Sequence, residues 1–383
     1  MNNNKVKIYC LNNISKQVLE NIHQTDEIVD NINECDAVIV RSYEMKDMAL
    51  NDNVYCVARA GAGVNNIPYN DYAKQGIVVF NTPGANANAV KELVIAGILL
   101  SSRDIIGGIN WIKDNINNIE ELKKVESIKK QFAGFEIYKK TILVIGLGAI
   151  GVMVANACVS LGMNVIGYDP FLNTNNALKL DSKVKYVSDL KAAVKEANYI
   201  TIHVPATSNT NKMINEELIN LMNENTVLLN FSRDALVDEE TLLKKPIKKY
   251  VTDFVNETTI KMSNAIVLPH LGASTKEAED NSAYLAFEEI KDYMENGNIK
   301  NSVNYPSLNA SKKQGKTRIC LLHKNVPGVI NKFTNVLYEI GANILTLVNQ
   351  SKGDYAYTIL DIDKDINKEK FNHLRDVIRV RII

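Results

Sequence analysis

This sequence of 383 residues has no net charge, no long apolar run and few cysteines. Its 44 basic and 44 acidic side chains balance, so charge gives no reason to expect a nucleic-acid or anionic-membrane partner. The longest apolar run, near residues 93–100, is far shorter than the roughly 20 residues that span a bilayer. The opening segment MNNNKVKIYC lacks the apolar core of a secretory signal. We therefore expect no contact with a membrane.

The cysteines give no sign of a protein stabilised by disulfides or of one that binds a metal. The five are odd in number, widely scattered and form no C-x-x-C pair: Cys10, Cys35, Cys56, Cys158 and Cys320. Several lie in apolar runs, where cysteine behaves as a small core residue. A reducing cytoplasm fits this usage, and we expect a cytoplasmic protein without structural disulfides. No cluster of Cys and His has metal-ligand spacing, so we also expect no metal site.

A glycine-rich turn in the middle of the chain carries the strongest positive signal. Residues 141–170 read TILVIGLGAIGVMVANACVSLGMNVIGYDP, in which Gly146, Gly148 and Gly151 form G-x-G-x-x-G. An apolar, strand-like run precedes the glycines and an amphipathic helical stretch follows them. This context is typical of a dinucleotide-binding turn, in which the pyrophosphate meets the N–H groups that open the helix, here at Ala149 and Ile150.

An acid in the same segment selects the cofactor. A second apolar run ends at Asp169, 18 residues beyond Gly151. A carboxylate there accepts hydrogen bonds from ribose hydroxyls and repels a 2′-phosphate. The alternative reading is a solvated acid at the end of a strand. The sequence therefore predicts that NAD, rather than NADP, is bound.

Polar residues at the ends of three later apolar runs suggest the chemistry. They are Arg233 in LLNFSRDALVDEETL, Glu257 in YVTDFVNET and His270 in IVLPHLGAST. Oxidation of an alcohol needs a base for the hydroxyl proton, a cation that holds the substrate carboxylate, and an acid that tunes the base. Arg233, His270 and Glu257 can supply these roles in that order. Each residue taken singly fits a surface ion equally well.

At this point the chain resembles a known family. The segments GLGAIG, HVPATSNT, NFSRDALVDEETL and PHLGAST are similar to the D-isomer-specific 2-hydroxyacid dehydrogenases. Within that family, RSYEM, RAGAGVNNI, NTPGANANAVKEL and NGNIKNSVNYP resemble members that act on 3-phospho-D-glycerate. The resemblance implies that Arg233 binds the substrate carboxylate, that His270 is the acid/base and that Glu257 is its partner.

Three departures from the family pattern affect the predicted site. Asp234 stands where glycine usually follows the catalytic arginine, and Thr258 stands where proline usually follows the glutamate. The segment before Glu257 is also shorter than usual. One alternative therefore stays open, in which Glu257 is an exposed loop acid and Asp253 lies nearer the imidazole ring.

The resemblance also implies a fold and its division. We expect an α/β protein with two doubly wound Rossmann-like lobes of parallel sheet and a small C-terminal α+β ferredoxin-like (ACT) domain. The expected bounds are a split substrate lobe (1–98 and 281–303), an NAD-binding domain (99–280), a linker (304–316) and the ACT domain (317–383).

Further contacts follow from the resemblance and are less specific. The expected cofactor contacts beyond the fingerprint are His203, Thr207, Ser232 and Asp253. The expected substrate contacts are Arg41, Ser42, Gly61, Ala62 and Gly63, the last three as a backbone anion nest. A solvated strand end and a plain tight turn are the simpler alternatives for these two segments. His23 and His373 have the context of surface residues.

The segment from residue 317 resembles ACT domains that sense amino acids. His323, Asn325 and Asn343 coincide with positions that bind serine in such domains. The alternative is a dimerisation module that has lost its ligand. Pairing of these domains implies a homodimer or homotetramer, with L-serine as the expected effector.

Taken together, the resemblance implies NAD-dependent oxidation of 3-phospho-D-glycerate, a small phosphorylated 2-hydroxy acid, at the first step of serine synthesis. Two alternatives remain open. One is a reductase of glyoxylate or hydroxypyruvate, and the other is a nucleotide-sensing regulatory protein built on the same fold.

Overall fold

The computed structural model describes residues 5–12, 14, 16–371 and 373–383. Residues 1–4, at the start of the segment assessed for a secretory signal, lie outside the described residues. The sequence also predicts a helix around residues 15–23, and Ser15 at its start lies outside them too. The strands are β1 (Lys7–Cys10), β2 (Glu27–Ile28), β3 (Ala37–Val40), β4 (Cys56–Arg59), β5 (Val78–Asn81), β6 (Thr141–Ile145), β7 (Asn164–Tyr168), β8 (Lys185–Tyr186), β9 (Tyr199–Ile202), β10 (Val227–Asn230), β11 (Lys249–Thr252), β12 (Ala265–Val267), β13 (Thr317–Lys324), β14 (Ile344–Lys352), β15 (Tyr355–Ile362) and β16 (Val377–Ile382).

The α-helices are α1 (Lys16–Thr25), α2 (Tyr69–Lys74), α3 (Ala87–Ser102), α4 (Ile105–Asp114), α5 (Ile119–Leu122), α6 (Val125–Ile128), α7 (Ala149–Ser160), α8 (Thr174–Ala177), α9 (Leu190–Glu196), α10 (Glu216–Leu221), α11 (Glu239–Lys244), α12 (Lys276–Asn296) and α13 (Val329–Glu339). Short 3₁₀ helices cover Ile32–Glu34, Lys129–Phe132, Asp234–Leu236, Thr259–Lys261 and Lys368–Phe371. Among the described residues, no helix combines the length and the apolar character needed to cross a bilayer.

The chain divides into two compact units. The first contains residues 1–85 and 276–383, and the second contains residues 86–275. Helix α3 therefore lies in the second unit, where Gly97 packs against Leu229 and Phe231. The predicted bounds placed most of this helix in the first lobe and began the second lobe at residue 99.

The first unit contains a five-stranded parallel sheet with the strand order β2-β1-β3-β4-β5. All four residues of β3 are buried, as expected for a parallel strand covered on both faces. Helix α12 packs on this sheet through a face that includes Ala283, Ala286 and Phe287. The chain thus returns to its N-terminal sheet after residue 276.

The second unit contains a seven-stranded parallel sheet with the order β12-β11-β10-β9-β6-β7-β8. The strand order reverses between β6 and β9, which is the position where open α/β sheets bind dinucleotides. This sheet, the first sheet and the C-terminal sheet confirm the predicted fold class.

The C-terminal segment forms a four-stranded antiparallel sheet in the order β14-β15-β13-β16. This is the ferredoxin-like order predicted for it, with α13 connecting the first two strands. A ferredoxin-like unit has a second helix before its last strand, and here the 3₁₀ turn Lys368–Phe371 takes that place. The sheet is not isolated, because Cys320, Leu322 and Tyr357 share one apolar core with residues of the first sheet and α12.

The last strand fastens this sheet to the end of α12. The buried Arg381 guanidinium donates to the carbonyl oxygens of Tyr293 (3.0 Å) and Met294 (2.9 Å), which belong to the last turn of the helix. A cation at a helix C-terminus satisfies free carbonyls and the helix dipole together. The predicted linker is also ordered against the core, since Asn304, Tyr305 and Leu308 are buried.

Candidate active site

The predicted cofactor and catalytic residues of the second unit lie along one edge of its sheet. All follow the carboxyl ends of strands, where parallel α/β sheets bind ligands. In the order of the strands they are His270 (after β12), Asp253 (β11), Arg233 (β10), His203 (β9), the glycines (β6) and Asp169 (β7).

The glycine turn has the geometry that its sequence predicts. Gly146 has φ +90° and its missing Cβ leaves room for the carbonyl of His203, at 2.6 Å from the position a Cβ would take. A Cβ on Gly151 would collide with the Gly146 carbonyl oxygen. At Gly148, the N-cap of α7, no heavy atom of the described residues lies within 4 Å of the Cβ position. The turn therefore leaves open space before a helix N-terminus, as a pyrophosphate requires.

Asp169 is fixed by the same turn. Its Oδ2 accepts a hydrogen bond from the Leu147 N–H (2.8 Å), and its Oδ1 accepts one from Phe171 (2.8 Å). Each carboxylate oxygen has a further lone pair, so both can still accept from ribose hydroxyls. The side chain is only partly buried.

His203 is a partly buried neighbour of the turn. Burial lowers the pKa of His203 to about 3, so the ring is neutral. Its Nε2 lies 2.9 Å from Thr201 Oγ1, whereas Nδ1 is buried and has no partner among the described residues. Asp253 Oδ1 is likewise buried without a partner in the described chain. Two unpaired polar atoms at this edge are a sign that a polar ligand completes it.

Arg233, Asp253 and His270 form an electrostatic cluster. Asp253 is 1% exposed, and its Oδ2 accepts from the Gly272 N–H at 2.9 Å. Burial raises the pKa of the Asp253 carboxyl, while the hydrogen bond from the Gly272 N–H and the electrostatic influence of His270 and Arg233 oppose that rise. Asp253 is therefore close enough to interact electrostatically with both His270 and Arg233.

The backbone at His270 is unusual. This residue has φ +50°, a left-handed conformation that residues other than glycine seldom adopt. Its N–H donates to the carbonyl oxygens of Asp253 (2.9 Å) and Leu268 (3.1 Å), and its exposed ring packs edge-on against Phe254 with centroids 5.1 Å apart. Strained positions of this kind concentrate at functional sites.

Glu257 is not brought to the imidazole. It is exposed, and no hydrogen bond or ion pair joins it to His270 among the described residues. The Asn256 side chain explains this, because its Oδ1 accepts from the N–H groups of Thr258 (3.0 Å) and Thr259 (2.9 Å) and closes a tight turn. The structure thus places Asp253, the alternative acid, beside His270.

Asp234 and the predicted cofactor contacts Ser232 and Thr207 make hydrogen bonds to residues near them. Asp234 accepts a hydrogen bond from the N–H of Ala235 (2.8 Å) and is exposed. Ser232 Oγ donates to the Ile202 carbonyl oxygen (2.7 Å), and Thr207 lies in an exposed turn closed by Thr210. These contacts are structural, and they leave the cofactor roles of Ser232 and Thr207 as predictions.

The predicted substrate residues lie at the carboxyl edge of the first sheet. Asn12, which follows β1, was missed in the sequence. Its Oδ1 accepts from three successive N–H groups, those of Arg41 (2.8 Å), Ser42 (3.1 Å) and Tyr43 (3.3 Å). Asn12 therefore fixes the backbone from which the Arg41 side chain extends.

The predicted nest at 61–63 is only partly available. Gly61 has φ +150°, and its N–H donates to Thr82 Oγ1 (2.7 Å). The N–H groups of Ala62 and Gly63 find no acceptor in the part of the chain that the structure describes. Arg59 was also missed, and its guanidinium lies where a Cβ on Gly61 would be. The pattern R-A-G could have indicated it, since β4 ends at this arginine.

The three residues predicted to bind serine do not converge within this chain. His323 is buried, with Nδ1 at 2.9 Å from the Lys324 carbonyl oxygen and Nε2 at 2.8 Å from Thr358 Oγ1. Asn325 bonds to the Gly353 carbonyl oxygen, whereas Asn343 lies before β14 at its other end. Nine strand residues correspond to about 30 Å between these two asparagines.

Comparison with known proteins agrees with this geometry. The model of the family "D-isomer specific 2-hydroxyacid dehydrogenase, NAD binding domain" matches residues 97–272. A hydroxypyruvate reductase of Thermotoga maritima is 33% identical over 67% of this chain and 84% of its own length. The chain belongs to this family. Its second unit is accordingly an NAD-binding domain, and the open glycine turn and Asp169 fit that cofactor.

Other relatives of this chain are named D-3-phosphoglycerate dehydrogenase. A D-3-phosphoglycerate dehydrogenase of Methanocaldococcus jannaschii is 33% identical over 80% of this chain. The chain spans 54–58% of the length of that protein and the two relatives that follow it. The crystal structure of NAD⁺-bound 3-phosphoglycerate dehydrogenase from Entamoeba histolytica superposes with a TM-score of 0.60 at 25% identity, over 79% of this chain and 100% of that one.

Proposed function

We propose that this family member oxidises 3-phospho-D-glycerate to 3-phosphohydroxypyruvate with NAD as the hydride acceptor. The observation that carries the proposal is the cluster of Arg233, Asp253 and His270 at the ends of three neighbouring strands. The relatives named D-3-phosphoglycerate dehydrogenase support the choice of substrate.

The side chains have distinct tasks in the proposed reaction. Arg233 uses one donor on the Ser232 carbonyl oxygen (2.6 Å), so its other guanidinium N–H groups remain to bind the substrate carboxylate. His270 accepts the proton of the C2 hydroxyl as its O–H bond breaks. When bound, NAD supplies a nicotinamide ring that accepts the hydride from C2, which leaves a C=O bond. The proton on His270 then passes to solvent.

Asp253 supports the charge that develops on His270. Its buried carboxylate interacts with the His270 imidazole and the Arg233 guanidinium, and a fixed negative charge stabilises the imidazolium that forms when His270 takes the proton. We therefore propose Asp253, in addition to Glu257, as a candidate for the acid that tunes the base.

Arg41 is the residue that distinguishes the two proposed substrates. An arginine can grip a phosphate with two parallel hydrogen bonds. The competing proposal is a reductase of hydroxypyruvate, which the Thermotoga maritima relative favours because the chain covers 84% of its length. Such a substrate has no phosphate for Arg41 to bind.

The test is an Arg41→Ala variant assayed for NADH formation. We expect KM for 3-phospho-D-glycerate to rise about 10- to 100-fold, since hydrogen bonds to charged groups contribute about 1.5–3 kcal/mol. KM for D-glycerate should change less than about twofold. Equal changes for both substrates, or no turnover of the phosphorylated one by the unaltered protein, would reject the proposed substrate.

We also propose that the chain pairs with a second copy through α4. Three isoleucines recur at helical spacing along its exposed face, Ile105 (42%), Ile109 (48%) and Ile112 (49%), and the exposed Ile116 (65%) follows just after the helix ends. A contiguous apolar stripe of this kind is typical of a protein interface.

Replacing Ile109 and Ile112 with lysine is expected to give a monomer, because two charges would enter a desolvated interface. Light scattering coupled to size-exclusion chromatography measures the mass. The control is Ile260→Lys, another isoleucine, 67% exposed, in the 3₁₀ turn Thr259–Lys261. An unchanged oligomer in the double variant would show that α4 is not the interface.

A further inference from the structure

An ion pair joins Arg41 to the first turn of α12. Arg41 Nη2 lies 2.6 Å from Glu279 Oε1, and the two side chains are 40% and 42% exposed. The residues are 238 positions apart, so no local sequence pattern places them together. The pair lies at the carboxyl edge of the first sheet, among the predicted substrate residues.

Both partners extend from fixed backbone. Asn12 accepts from the Arg41 N–H and holds the arginine at the end of β3. Glu279 belongs to α12, whose apolar face is buried in the core of the first unit. A carboxylate in the first turn is also favoured by the helix dipole. The meeting of the two charges is therefore set by the fold.

The pair resembles the contact that a substrate phosphate would make. A carboxylate and a phosphate can each accept two parallel hydrogen bonds from a guanidinium. The two groups therefore compete for the same N–H groups of Arg41. A phosphate must then enter beside a fixed negative charge. A substrate without a phosphate does not meet this obstacle at Arg41.

We infer that Glu279 is a specificity-determining residue of the proposed reaction, whose carboxylate occupies Arg41 and lowers the affinity for phosphorylated substrates relative to unphosphorylated ones. The inference rests on the proposed function, because it assigns the substrate phosphate to Arg41. Glu279 acts through Arg41 and has no contact with the reacting atoms in this account.

The exposure of the ion pair determines how strongly Glu279 should affect the binding of a phosphorylated substrate. Exposed ion pairs are weak, so a phosphate of higher charge can displace the Glu279 carboxylate. Repulsion between two unit charges about 4 Å apart corresponds to about a fivefold change in binding in water, and to more where solvent is thin. Glutamine keeps the shape and an oxygen acceptor for Arg41 but removes the charge.

The experiment is a steady-state comparison of Glu279→Gln with the unaltered protein, using 3-phospho-D-glycerate and D-glycerate. We expect KM for the phosphorylated substrate to fall about fivefold, with kcat and the KM for D-glycerate unchanged. The matched control is Asp71→Asn, which removes the same charge from an exposed pair with Lys74 (2.7 Å) in the same unit. This control should leave both KM values unchanged.

The Arg41→Ala variant and the double variant separate the possible failures. In the Arg41→Ala background, Glu279→Gln should have no more effect than Asp71→Asn. If Arg41→Ala affects both substrates equally, the proposed function fails whatever Glu279 does. If Arg41→Ala is selective but Glu279→Gln raises KM or leaves it unchanged, the proposed function stands and this inference is overturned. A full effect without Arg41, or an equal effect on both substrates, would also overturn it.

Discussion

Replacing His270 with alanine is expected to lower kcat by about 10²- to 10⁴-fold, the usual contribution of a positioned acid/base. The imidazole would accept the hydroxyl proton, and alanine has no group that can take over this step. NADH binding, measured by cofactor fluorescence, should be retained because the glycine turn and Asp169 are untouched. A variant that keeps more than about a tenth of kcat would remove His270 from the proposed role.

Two further variants decide whether Asp253 or Glu257 is the carboxylate that supports His270. Asp253→Asn keeps the shape and the acceptor for the Gly272 N–H but removes the buried charge beside the imidazole. We expect its kcat to fall at least about tenfold, since the developing imidazolium loses its counter-charge. Glu257→Gln, at an exposed position, should have the smaller effect. The opposite ranking would show that Glu257 reaches the ring when substrate is bound.

These two acids show where sequence reasoning succeeds and where it stops. The glycine turn, Asp169, Arg233 and His270 could be placed because each follows a strand whose apolar run is continuous in the sequence. The choice between Asp253 and Glu257 depends on a loop that folds around Asn256. That asparagine donates to Glu239, 17 residues away, and no spacing rule includes such a contact.

Contacts distant in sequence escaped prediction for the same reason. Asn12 meets Arg41 across 29 residues, and Glu279 meets it across 238. The C-terminal sheet was expected as a separate domain beyond a linker, since residues 307–316 (SLNASKKQGK) are polar and lack apolar periodicity. Its apolar face instead completes the core under the first sheet, as Tyr357 and Cys320 show.

Removing the Arg318 guanidinium is expected to destabilise the first unit by about 3–5 kcal/mol, the usual effect of breaking a buried ion pair. Arg318 and Asp361 are 1% and 0% exposed, and two hydrogen bonds join them, at 2.7 Å and 2.8 Å. The same guanidinium donates to the carbonyl oxygens of Asn296 (2.9 Å) and Ser311 (2.7 Å). It thus joins the end of α12, the predicted linker and the C-terminal sheet.

The prediction is tested with Arg318→Met in urea, followed by far-ultraviolet circular dichroism. Methionine fills part of the volume but leaves the Asp361 carboxylate buried without its cation. The matched control is Lys316→Met, two positions earlier, where the pair with Asp365 is exposed and 3.9 Å long. Exposed pairs of this kind contribute about 0–1 kcal/mol, so the control should unfold almost as the unaltered protein does.

A double variant that also replaces Asp361 with leucine should recover part of the loss, because no buried charge is then left unpaired. Equal stability of Arg318→Met and Lys316→Met would mean that the pair does not hold the C-terminal sheet to the end of α12.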